Sequence, residues 1–226
     1  MEELSLGHGL ARFLHILLFV YWLGGDAGVF YSSRFVVNPR LSKDARLTAA
    51  KIFVDLDMIP RYCMALMLTV GGILAECIGI AHPAWEMAAI VLLGPVWIGM
   101  VHLVHAKQGT AAGATLARVD VWFRWIVIGS IVVSVVHSHA SGRLAGLEWF
   151  SAKLLTFAFL VFCGLMIRRN LPPFVQGFRT LATTGPTPES DRLMSDALAR
   201  CQPYVLAIWA GVALSALIGI LKPSLG

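Results

Sequence analysis

Charge is scarce in this chain. Only 14% of its 226 residues are Asp, Glu, Lys or Arg, 58% are hydrophobic, and the mean hydropathy is +0.75. A soluble domain with that balance could not cover its surface with polar groups, so a single water-facing core is excluded and a lipid solvent is implied. Cysteine is sparse as well. Cys63, Cys77, Cys163 and Cys201 show no C-x-x-C spacing, which argues against a zinc ribbon or a c-type haem attachment and gives no support to a disulfide framework. There is no P-loop, no G-x-G-x-x-G opening after a strand and no H-E-x-x-H, so the soluble catalytic signatures are missing. The net charge of +5 comes without a basic stripe interleaved with aromatics, so nucleic acid is not an expected partner. At the N-terminus, Glu2 and Glu3 precede the first base and no small-residue cleavage site follows a short apolar core. The first apolar run therefore reads as a retained helix rather than a removable signal.

What is present is long apolar runs. A hydrocarbon core about 30 Å thick needs about 20 apolar residues per helix, and windows of that kind lie at residues 10–33, 60–80, 84–106, 118–139, 149–169 and 202–222. The expectation is an all-α, polytopic transmembrane bundle of about six spans, forming one domain over 1–226. Pro39 and Pro60 bracket a helix-patterned stretch at 40–58 whose Leu47, Ile52, Val54 and Leu56 suit an amphipathic connector at the membrane surface. Residues 170–199, with Pro172, Pro173, Pro186, Pro188 and Gly185, read as a polar loop holding one short helix near Asp191 to Arg200. Of the 18 Lys and Arg, 14 fall in or beside the connectors after spans one, three and five. The positive-inside rule then makes those connectors cytoplasmic, puts both termini on the non-cytoplasmic side and suggests a cell inner membrane.

Ionisable residues inside apolar spans are costly and usually functional, and five of the seven histidines are of this kind: His15, His102, His105, His137 and His139. Neutral imidazoles projecting from apolar helices suit haem or metal ligation. On the first span His15, Trp22 and Asp26 stand on one stripe at 100° per residue, and Gly24, Gly25 and Gly28 would admit a close helix or a flat cofactor. Asp26 is open to two readings, a functional carboxylate or a structural partner for a cation such as Arg124. His102 and His105 share a face but cannot take opposite axial positions on one iron, so a second inner ligand would come from Met58, Met64, Met67, another nitrogen or an open site. His137 and His139 point about 200° apart, so only one can face inward. His15 with His137 or His139 could hold an outer haem, and His102 or His105 an inner one, giving one or two b haems. Asp120 and Arg124, four apart, read as a structural pair. His8 and His82 read as surface residues, and Lys153, one turn into span five, as a residue that snorkels to the interface.

The run FLHILLFVYWLGGDAGVFYSSRFVV, with His15, Trp22, Gly25 and Arg34, resembles the first helix of HemJ-type protoporphyrinogen oxidases and the related CopD-like membrane proteins. MLTVGGIL at 67–74, EWFSAKLL at 148–155 and GILKP at 219–223 resemble later stretches of the same superfamily. The resemblance covers about half of the chain. It implies an integral membrane oxidoreductase holding haem through His15, with Trp22 beside it and with Asp26, Arg34 and Lys153 available for proton transfer or a substrate carboxylate. Those oxidases have four helices, so spans 84–106 and 118–139, with their four histidines, are additions, and RCQP at 200–203 replaces their Asn-Glu-x-Pro run. Expected partners are the lipid bilayer and a quinone or partner dehydrogenase, with self-association into a homo-oligomer left open. The alternative is CopD-like copper handling through His8, His15, His137 and His139 with methionines, for which the outer ends carry little methionine.

Overall fold

The computed structural model describes residues 6–223, so Glu2 and Glu3 lie outside the described residues. The described chain is helical throughout, with no strand: α1 (Leu6–Val36), α2 (Lys43–Cys77), α3 (Ala84–Ala106), α4 (Ala111–Ala140), α5 (Glu148–Asn170), α6 (Pro172–Thr183) and α7 (Pro188–Leu221). All but α6 are long and apolar enough to cross a membrane. Large apolar side chains remain on the outside; on α4 alone Trp122, Ile126, Val133 and Val136 are each more than 60% exposed. Patches of that kind are unfavourable in water and ordinary against lipid. The protein is a multi-pass, all-α membrane protein.

Two stretches differ from the sequence expectation. The stretch at 40–58 is not a separate connector, because from Lys43 it forms the first half of one 35-residue helix that runs through Pro60. Its buried face is Arg46, Ala50 and the partly buried Phe53, while Ile52 and Val54 are exposed. Nor is 170–199 mainly a loop. Pro172 and Pro188 stand in the first turns of α6 and α7, where the missing N–H costs nothing and the fixed φ favours the helix. Thr187 and Ser190 close a capping box, each side chain accepting from the other's backbone N–H at 3.1 and 3.0 Å. Helix α7 then continues unbroken past Pro203.

The chain packs as two compact units, Met1–Val29 with Val54–Asp120, and Phe30–Phe53 with Val121–Gly226. In the first, α1 and α2 run antiparallel at close approach. An added Cβ at Gly25 would sit 3.0 Å from Cδ of Pro60, one at Gly28 3.2 Å from Leu56, and one at Gly71 3.3 Å from the His15 ring. Gly25 thus makes room for the proline ring that α2 carries mid-helix. Helix α3 meets α2 at Gly94, directly before Pro95. The Thr69 hydroxyl donates to the Ile90 carbonyl at 2.6 Å and accepts from Gly94 N–H at 2.9 Å, bridging the backbone one residue before the proline. In lipid such groups find no water, so a neighbouring helix must satisfy them.

In the second unit α7 packs on α5 and α6. Gly211 faces Leu160 and Gly177 faces the Ser190 carbonyl, where added Cβ atoms would come within 2.7 Å. Val36, Ala50, Phe174, Leu181, Met194 and Ala197 form a buried core, against which Phe53 and Phe178 pack. Beside it Arg46 is fully buried: its Nε donates to the Val36 carbonyl at 2.7 Å and its guanidinium pairs with Asp191 at 2.6 Å. One cation therefore ties the end of α1, the start of α2 and the first turn of α7 together.

Thr69→Val should lower the thermal stability of the solubilised protein by about 1–3 kcal/mol, the cost of unsatisfied buried groups, while Thr69→Ser stays near wild type; equal melting of all three would exclude the bridge. Asp191→Asn, which leaves the Arg46 guanidinium without its counter-ion, should cost about 3–5 kcal/mol, and the Arg46→Met/Asp191→Leu double variant should recover most of it. Thermal melts in one detergent check this, and a double variant less stable than the single would contradict it.

Candidate functional site

Helix α1 carries His15, Trp22 and Asp26 in the first unit. Trp22 is buried, and His15 and Asp26 are half-buried. The His15 ring lies against α2 at Gly71: an added Cβ there would be 3.3 Å from Cε1 and 3.7 Å from Nδ1. Glycine is therefore the residue that lets the imidazole occupy the α1–α2 seam.

Further along the seam the polar residues form a network that sequence reasoning did not assemble. Arg61 of α2 pairs with Asp57 one turn away, and Asp120 and Asp26 also act on its guanidinium electrostatically. Arg61 is thus in contact with Asp57 and under the charges of Asp26 and Asp120, the last of them almost fully buried. The i,i+4 spacing of Asp57 and Arg61 was the one sequence signal for this grouping. What brings Asp26 and Asp120 to it is tertiary.

The α3 histidines are at the helix end. His102 is exposed and its Nδ1 is 3.0 Å from the Tyr62 hydroxyl of α2, which orients the ring; His105 is half-buried in the last turn. His82 is bound twice by Glu76, through its backbone N–H at 3.0 Å and its Nδ1 at 2.8 Å, in keeping with a structural role.

The remaining candidates belong to the second unit. Helix α4 extends to Ala140 and so carries both His137 and His139. His137 is exposed, while His139 Nε2 is 2.9 Å from the Ser151 hydroxyl of α5. Arg143 donates to the buried Ser138 hydroxyl at 2.8 and 3.1 Å. Lys153 reaches α7: an added Cβ at Gly219 would be 2.5 Å from its Nζ. Lys222, the left-handed cap of α7 at φ 43°, places its ammonium 5.5 Å from the Trp149 ring centroid, and the Lys153 and Lys222 charges act on one another. The two lysines and an indole thus gather where α5 begins and α7 ends. Arg34 is exposed and lies over the Phe30 ring at 4.9 Å.

Among the described residues no three His, Cys, Asp or Glu side chains gather as a metal site, and the four cysteines form no disulfide. Comparison with family models, curated proteins and solved structures found no match.

Proposed function

We propose that this chain is a b-type haem protein of a cell inner membrane, acting in electron transfer or quinone-linked oxidation, with His15 as an axial ligand. The observation that carries the reading is the seating of His15. An ionisable ring inside an apolar helix is seated against Gly71 of α2, so close that an added Cβ there would lie 3.3 Å from its Cε1. A haem bound there would supply one-electron chemistry, and Trp22, buried on the same stripe, would help keep water from it. Asp26 lies eleven positions on, about 16 Å along the helix axis, in the network with Asp57, Arg61 and Asp120. That network is suited to holding or passing the protons that accompany quinone chemistry. Lys153, which reaches Gly219 of α7, and Lys222, the cap of α7 over Trp149, suit a substrate carboxylate in the manner the HemJ-type resemblance implies.

His15→Ala should lower bound haem by about one equivalent per chain, measured by pyridine haemochrome. Gly71→Val keeps the imidazole but crowds its seat, and should shift the Soret and α bands or weaken haem retention. Full haem content with unchanged bands in both variants would remove His15 as a ligand. Both termini on the non-cytoplasmic side follow from the 14 of 18 cations beside three connectors. Reporter fusions after residues 40, 110 and 185 should all read cytoplasmic, and a consistent periplasmic signal would reverse the orientation.

A further inference from the structure

The corner between α5 and α6 carries an open groove of about 630 Å³ lined along one stripe of α6 by Pro172, Val175, Gln176, Arg179 and Thr180, with Arg168 from the last turn of α5. Only Leu171 separates the two helices, so the groove lies at the level where a membrane-spanning helix leaves the hydrocarbon. Helix α6 spends its other face on the protein: Phe174, Gly177 and Leu181 are buried. The groove side stays open, with Val175 42% exposed and Arg179 exposed.

Along the α5–α6 stretch of the chain after Glu148, charge has one sign. Between Glu148 and Glu189 the sequence contains no Asp or Glu, but it contains Lys153, Arg168, Arg169 and Arg179. No carboxylate lines the groove. Two guanidiniums therefore flank a depression whose floor is partly apolar and whose rim offers the Gln176 amide and the Thr180 hydroxyl. Guanidinium groups form bidentate hydrogen bonds with phosphate, and an apolar floor at the membrane surface suits the upper part of an acyl chain. Basic pockets at the ends of membrane helices take anionic head groups for these reasons.

We propose that this groove is a binding site for an anionic phospholipid of the surrounding leaflet, its phosphate held by Arg168 and Arg179 and its proximal chain resting on Pro172 and Val175. The site is independent of haem. The lipid would brace the α5–α6 corner, which lies next to the core that Phe174 and Leu181 help to build.

The test uses the full-length protein in a neutral detergent, titrated with phosphatidylglycerol or phosphatidylcholine and read by native mass spectrometry. Phosphatidylglycerol should bind preferentially, and Arg168→Gln/Arg179→Gln should weaken it by about fivefold for each arginine removed. A charge-matched control, Arg192→Gln/Arg200→Gln, alters two exposed arginines outside the groove and should leave binding unchanged. If the double variant at the groove is poorly folded, Arg179→Gln alone changes an exposed side chain and should still give the single fivefold loss. Equal binding of both lipids would overturn the proposal, as would equal losses in the control variant. Displacement of the lipid by millimolar inorganic phosphate alone would also overturn it, since that marks a free-anion site with no use for the acyl chain.

Discussion

In a lipid solvent every polar group of the backbone must find its partner inside the protein, and the unusual features of this fold answer that demand. Four of its helices carry or begin at prolines that would ordinarily mark breaks: Pro60 in α2, Pro95 in α3, Pro172 at the start of α6, and Pro188 and Pro203 in α7. Four of the five are accommodated locally. Gly25 makes room for the ring of Pro60, the Thr69 hydroxyl enters the backbone beside Pro95, and Pro172 and Pro188 sit in first turns where no N–H is needed. The continuity of the helices depends on side chains and gaps contributed by their neighbours.

The same demand turns some charges into structural members. Arg46 is wholly buried, with a carbonyl of α1 and a carboxylate of α7 as its partners. A guanidinium suits this position because its planar fork can satisfy several acceptors at once, which a lysine ammonium does with less geometric control. The small core of Val36, Ala50, Phe174, Leu181, Met194 and Ala197 forms around it. Its sequence segments are ones with too much charge or proline to read as part of a core.

The seam between α1 and α2 shows how structure and chemistry share residues. Gly25, Gly28 and Gly71 permit the close approach, and that approach seats His15 at one end and brings Asp26 toward Arg61 at the other. A larger residue at Gly71 would disturb the packing and the imidazole together. Glycine here serves backbone proximity rather than turn geometry, since it lies within a regular helix.

By itself the sequence determined the class of this protein, all helical and multi-pass, because a run of about 20 apolar residues has no other stable arrangement in a bilayer. It also determined which residues share the face of a single helix, such as His15, Trp22 and Asp26, since helical periodicity is local. The tertiary structure alone decided where helices continue through proline, as at Pro60 and Pro95, because that depends on whether a neighbour supplies space or a hydrogen bond. It alone decided which cations are buried: Arg46 and Arg179 look alike in sequence, and only packing makes one the centre of a core and leaves the other exposed. It alone brought the charges of Asp26 and Asp120 to bear on the Asp57–Arg61 pair, since contacts between helices are set by the complementarity of whole faces, which no single segment contains.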